Sequence, residues 1–155
     1  MILDKLRTFR GLGRRGRCLA VESLLLPSLI RLGFHLVGVT RTSSLLELWS
    51  RSARNIDPAE PGVLIQESVR IQRIVRNSTG LCGTCLTRSL ALQAILRKRG
   101  VLTDLRVGVR KESGLMEGHA WLEYQDLPIN ESRVLVATYV LFDAASQFSA
   151  WRSLR

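Results

Sequence analysis

The stretch "TGLCGTCLTRSLALQAILRKRG", Thr79 to Gly100, contains a helix start, a helix stop and the last residues before the chain changes its hydrophobic period. Small residues from Asn77 to Thr84 read as a loop. Thr84 is placed to cap a helix that begins at or beside Cys85, and Leu86, Leu90, Leu92, Ile95 and Leu96 give that helix an apolar face. Arg97, Lys98 and Arg99 put cations at its negative end, and Gly100 is a C′ glycine. From Val101 the period falls from about 3.6 to 2, the mark of strands. "DLRVGVRK" alternates, "KESGLMEG" turns, "HAWLEY" alternates, "QDLPINESR" turns and "LVATYVLFDA" alternates again.

Upstream the pattern is helical. "VLIQESVRIQRIVRNSTG", from Val63, is amphipathic: Ile65, Val69 and Gln72 lie near one face, widened by Ile71, Ile74 and Val75, while Arg70, Arg73 and Arg76 line the other. "RNIDPAEPG", Arg54 to Gly62, is a loop. Before it, Ser43 or Ser44 is set to cap "LLELWSRSAR", Ser44 forming a capping box with Glu47. "CLAVESLLLPSLIRLGFHLVGV", from Cys18, is apolar on nearly all sides and predicts one or two buried helices broken near Pro27 or Gly33. Helices first and then strands joined by short loops mean an α+β fold, a helical N-terminal half packed on an antiparallel sheet. The 155 residues read as one domain, with a helical region over 1–60 and a core over 63–155 whose helix starts at 85 and whose strands start at 101.

The net charge of +10 comes from twenty arginines and three lysines against thirteen acids. It points to an anionic partner, or only to arginine-rich coding. No zinc-finger, RNP-type or Walker motif accompanies it, so nucleic acid is not the expected partner. Three cysteines are too few and too unevenly placed for a secreted disulfide framework, which favours a reducing cytoplasm. The basic start of the chain lacks a small-residue cleavage site, and Glu22 interrupts the apolar run behind it. "SLLLPSLI" and "LGFHLVGVT" are each shorter than the ~18–20 residues of a spanning helix, so no membrane span is expected and any membrane association is limited to the surface.

Cys82 and Cys85 have a Cys-x-x-Cys spacing with three chemical readings. A thioredoxin-like redox pair would follow a central strand in a βαβ unit, whereas here an arginine-faced helix precedes it. Structural zinc needs about four ligands, and Cys18, His35 and His119 are isolated from each other. The third reading makes Cys85 alone a nucleophile. At a helix N-terminus the dipole and free N–H groups stabilise a thiolate and face an oxyanion. A thiolate needs an imidazole, and the imidazole an acceptor to orient it. His35 lies in an apolar stretch and reads as a core residue. His119 opens "HAWLEY", whose alternation puts His119, Trp121 and Glu123 on one face and Ala120, Leu122 and Tyr124 on the other. Asn130, Glu131 and Asp143 are the candidates for the orienting group.

The strings "CLTRSLALQAILRKRG", "LRVGVR", "GHAWLEY" and "PINES", in this order and spacing, resemble the leader peptidases of lasso-peptide biosynthesis, a transglutaminase-like branch of the papain-like cysteine proteases. The resemblance covers Ile65 to Asp143. It implies a triad of Cys85, His119 and Glu131, with Glu where the family usually has Asp, and assigns no role to Cys82. It further implies removal of the leader from a ribosomally made precursor through an acyl-enzyme, with no cofactor. The expected partners are the precursor, a separate leader-recognition protein and a macrolactam cyclase. With no winged-helix-like segment at its front, the chain looks like the split form of the peptidase. Against this stand a thiol-disulfide oxidoreductase, a non-catalytic peptide-binding module, and amine transfer on the same triad.

Overall fold

The computed structural model describes residues 13–52, 59–79 and 83–142. Four helices lead: α1 (Arg14–Leu36), α2 (Val39–Ser52), α3 (Pro61–Thr79) and α4 (Cys85–Lys98). The sheet follows with β1 (Asp104–Glu112), β2 (Leu115–Tyr124), β3 (Leu127–Pro128), a single helical turn α5 (Arg133–Val136), and β4 (Val140–Leu141). Strand order is β3-β2-β1-β4, antiparallel throughout, so the α+β class and the antiparallel sheet are as expected.

Helix α4 is the centre. Its Leu92, Ile95 and Leu96 are fully buried, with Leu122 of β2 on one side and α1 and α3 on the others. Its ends form as expected. Thr84 Oγ1 accepts the Thr87 N–H at 3.3 Å. At the other end Gly100 takes φ +92°, and the Val101 N–H reaches back to the Leu96 carbonyl at 3.0 Å.

The strands depart from expectation at their ends. Ser113 and Gly114, both at positive φ, make a two-residue turn, so β2 starts at Leu115 rather than at His119. "LVATYVLFDA" is not one strand. Ser132 caps the α5 turn by accepting the Leu135 N–H, and only Val140 and Leu141 pair with β1.

The N-terminal helices differ more. Pro27 and Gly33 do not break α1, which runs on for 23 residues; Pro27 is buried beside Gly83, and packing there offsets its missing N–H. Gly33 lets α2 approach, since a Cβ on it would lie 2.8 Å from Thr42. The break comes at Gly38, φ +85°, so α2 starts at Val39 and places Ser43 and Ser44 inside it. Ser44 bonds back to the Thr40 carbonyl, and Glu47 pairs with Arg51 and Arg97 instead of closing a capping box.

Joined in this way, α1 is long and apolar enough to cross a membrane by length and composition. Here it packs on α3 and α4 through Leu19, Ala20 and Ile30, and its Glu22 accepts from Lys98 Nζ and Arg99 Nη2, each at 2.7 Å. Val21, Leu25, Leu29, Leu32 and Leu36, at helical spacing, are 45–72% exposed, and His35 is exposed rather than in the core. The basic segment before residue 13 and most of the loop before Pro61 lie outside the described residues.

Because Leu122 joins sheet to helices with no exposure, Leu122→Ala should cost about 2–5 kcal/mol, a large share of a total near 5–15. Urea unfolding of the whole chain checks this.

Candidate active site

Cys85 is the first residue of α4, half-buried and a free thiol. The local sequence makes that start tight. A Cβ on Gly83 would collide with Thr87 Oγ1, the third residue of the helix, so only glycine lets the loop fold against the first turn. Cys82 lies outside the described residues.

His119 is on β2 opposite Gly108 of β1. A Cβ on Gly108 would meet the Tyr139 Cβ at 2.9 Å, so the missing side chain admits Tyr139 to the sheet face. The Tyr139 ring stacks 5.2 Å from the imidazole, and Trp121 lies 6.2 Å from both rings, so the three form a cluster. Trp121 is fixed in turn by its Nε1–H bond to Glu123 at 2.9 Å, and Arg110 lies over the Tyr139 ring. Burial raises the phenol of Tyr139 above its ordinary value, partly opposed by Arg110.

Glu131 Oε1 lies 3.3 Å from His119 Nε2, within ion-pair range but without the alignment of a hydrogen bond. Catalytic contacts of this kind commonly tighten when substrate binds. The contact is made by Nε2, and Nδ1 makes no hydrogen bond among the described residues.

Asn130, a candidate for the same acceptor role, is engaged elsewhere. Its Oδ1 accepts the Leu122 N–H at 2.8 Å, and its Nδ2 donates to Ser89 Oγ at 3.1 Å. Ser89 Oγ donates to the Ala120 carbonyl at 3.0 Å. Asn130 is therefore a brace, and Asp143 lies outside the described residues.

The brace also sets where Cys85 stands. Leu92 and Leu96 share a cluster with Leu122, and Ser89, one turn earlier, bonds to Ala120. Moving back along α4 thus moves back along β2. Cys85 is one further turn back, about 6 Å of rise along α4 from Ser89, in the direction of the end of β2 that holds His119. Sequence reasoning missed the roles of Ser89, Asn130, Gly108 and Tyr139. A Ser one turn beyond a helix-start cysteine is the only sign it could have used, because the other three depend on pairing across the sheet.

Ser89→Ala would leave the Asn130 amide and the Ala120 carbonyl short of a buried partner, costing about 1–3 kcal/mol in denaturant unfolding. Asn130→Ala should cost a similar amount in the same assay. Tyr139 gives a pH signature. With its folded value raised, its contribution to stability is complete below the unfolded value near 10 and is lost as pH rises through the folded value. Tyr139→Phe should flatten that alkaline loss in thermal melts taken across the range.

The α+β fold agrees with what comparison finds. A family model described as the transglutaminase-like superfamily matches residues 28–142, from the middle of α1 to the end of β4. No curated protein and no solved structure matches the chain. The match spans most of the described residues, and on that extent the chain belongs to the transglutaminase-like superfamily.

Proposed function

We propose that this protein is a cysteine peptidase that removes the leader from a ribosomally made lasso-peptide precursor, with Cys85 as nucleophile, His119 as base and acid, and Glu131 as the group that orients the imidazole. The observation that carries it is the 3.3 Å approach of Glu131 to His119 Nε2, on a strand tied by Ser89 to the helix that Cys85 begins. The finer choice of a lasso-peptide leader rests on the string Cys-x-x-Arg-Ser-Leu-Ala-Leu from Cys85 and on His-Ala-Trp from His119.

His119 takes the thiol proton through Nδ1, and the Cys85 sulfur attacks the carbonyl carbon at the leader–core junction. Because Thr84 occupies the Thr87 N–H, the N–H groups of Cys85 and Leu86 are the donors for the oxyanion. The imidazolium gives its proton to the leaving amine, freeing the core N-terminus and leaving the leader as a thioester on Cys85. His119 then deprotonates a water, which attacks the thioester and returns the thiol. Glu131 stabilises the imidazolium formed on the way and stays ionised. Its extra methylene relative to Asp lets it reach Nε2 from a loop held by Asn130 and the Ser132 cap.

The partners belong to the same proposal: a leader-recognition protein presenting the precursor in the cytoplasm, and a cyclase that uses the freed N-terminus. The exposed leucines of α1 offer an apolar surface for the recognition protein. The redox reading has less support, because helix α3 and not a strand precedes Cys82 and Cys85 in the chain.

The test is mass spectrometry of a precursor incubated with this protein and its recognition partner. Cys85→Ala and His119→Ala should each lower cleavage by about 10³-fold or more, and Glu131→Gln should lower it while folding normally. Cys82→Ala should keep most of it. If Cys82→Ala is the dead variant and the protein exchanges disulfides with a small thiol, the redox reading replaces this one.

A further inference from the structure

We propose that the groove between α3 and the β2–α5 connection binds an acidic peptide segment, and that it selects substrates with Asp or Glu near the bond that is cut. The word substrate rests on the peptidase reading above; the binding itself does not.

A groove of about 380 Å³ runs along α3, with Ile65, Val69, Ile74 and Ile129 as its apolar floor and Arg70 and Arg73 on its edge. It shares Val69 and Arg73 with an adjoining cleft that reaches Arg88 and Glu131. The amides in the cleft are already used: Gln72 Nε2 donates to the Arg88 carbonyl at 2.9 Å, and Asn130 braces β2. The guanidiniums of Arg70, Arg73 and Arg88 are not. Among the described residues Arg70, Arg73 and Arg88 form no ion pair, and Arg70 and Arg73 are exposed. Two nearby carboxylates are engaged, Glu67 with Arg15 at 3.9 Å and Glu131 with His119. The concave surface is therefore net positive over an apolar floor.

That combination fits a peptide in which aliphatic and acidic side chains alternate. Guanidinium forks bind carboxylates in paired hydrogen bonds, and the floor accepts the aliphatic groups between them. A nucleic-acid strand fits less well, because among the described residues no aromatic side chain lines the groove for bases to stack on. The direction matters for chemistry as well. Arg88 is three residues after Cys85 on α4, so a chain lying in the groove and cleft passes within a turn of the thiol.

The test uses full-length Cys85→Ala, which binds without cutting. A randomised short-peptide library is passed over the immobilised protein, and the bound fraction is sequenced. Asp and Glu should be enriched several-fold over the input, and the enrichment should vanish in Cys85→Ala carrying Arg70→Gln and Arg73→Gln, with circular dichroism unchanged. A selected acidic peptide should bind at least tenfold more tightly than its Asn/Gln counterpart, a preference that the double substitution removes. A bound fraction without acidic enrichment, an enrichment that the Arg variants keep, or equal competition by a single-stranded oligonucleotide would overturn the proposal. Cleavage is read separately with the wild-type thiol. Equal kcat/KM on acidic and amide peptides would sink the selectivity while leaving the peptidase standing. Acidic binding without any cleavage would do the reverse.

Discussion

The site depends on one buried hydroxyl. Ser89 Oγ donates to the carbonyl beside His119 and accepts from the amide beside Glu131, and it stands one helical turn from Cys85. Three segments that are distant in the chain are thus set by two directional bonds in a place with no solvent exposure. With no water to compete, those bonds tolerate little change in length or angle. Hydrophobic contact between Leu92, Leu96 and Leu122 presses α4 onto β2, but such contact slides easily. The Ser89 and Asn130 bonds choose one register from those the apolar contact would allow.

The same division of labour recurs around the imidazole. Apolar and aromatic packing holds His119 in place, through Tyr139 and Trp121, while the carboxylate of Glu131 lies against one of its two nitrogens. Gly108 makes this possible by giving up its side chain directly opposite the histidine. At the far end of α4, Glu22 joins Lys98 and Arg99, so both ends of the central helix are held by polar contacts and its middle by leucine and isoleucine.

Much of this was legible. The Thr84 cap, the Gly100 stop and the alternation of "HAWLEY" are local features whose cause is a neighbouring residue's backbone, and the structure contains them all. Glu131 was legible through spacing and resemblance as a candidate acid, and it lies against His119. The N-terminal half was less so. Pro27 argued for a break, yet its burial against Gly83 outweighed the lost hydrogen bond, and Gly33 serves a helix contact. His35 read as a core residue because its neighbours are apolar, but a stripe of α1 that includes those neighbours faces outward. Apolarity all round a helix says that it has large apolar area, not which side the rest of the chain will cover.

By itself the sequence determined the order of helices first and strands after, the cap that starts the Cys85 helix, and the face of β2 that His119 shares with Trp121. These follow from backbone hydrogen bonding and from periods of a few residues, which any stretch of chain carries with it. Only the tertiary structure decided that Asn130 braces while Glu131 faces the imidazole, and that Ser89 links the two. Adjacent residues on one loop have the same local propensity. What separates them is which of two opposite directions leads to the helix and which to the histidine, and that is settled when α4 packs on the sheet.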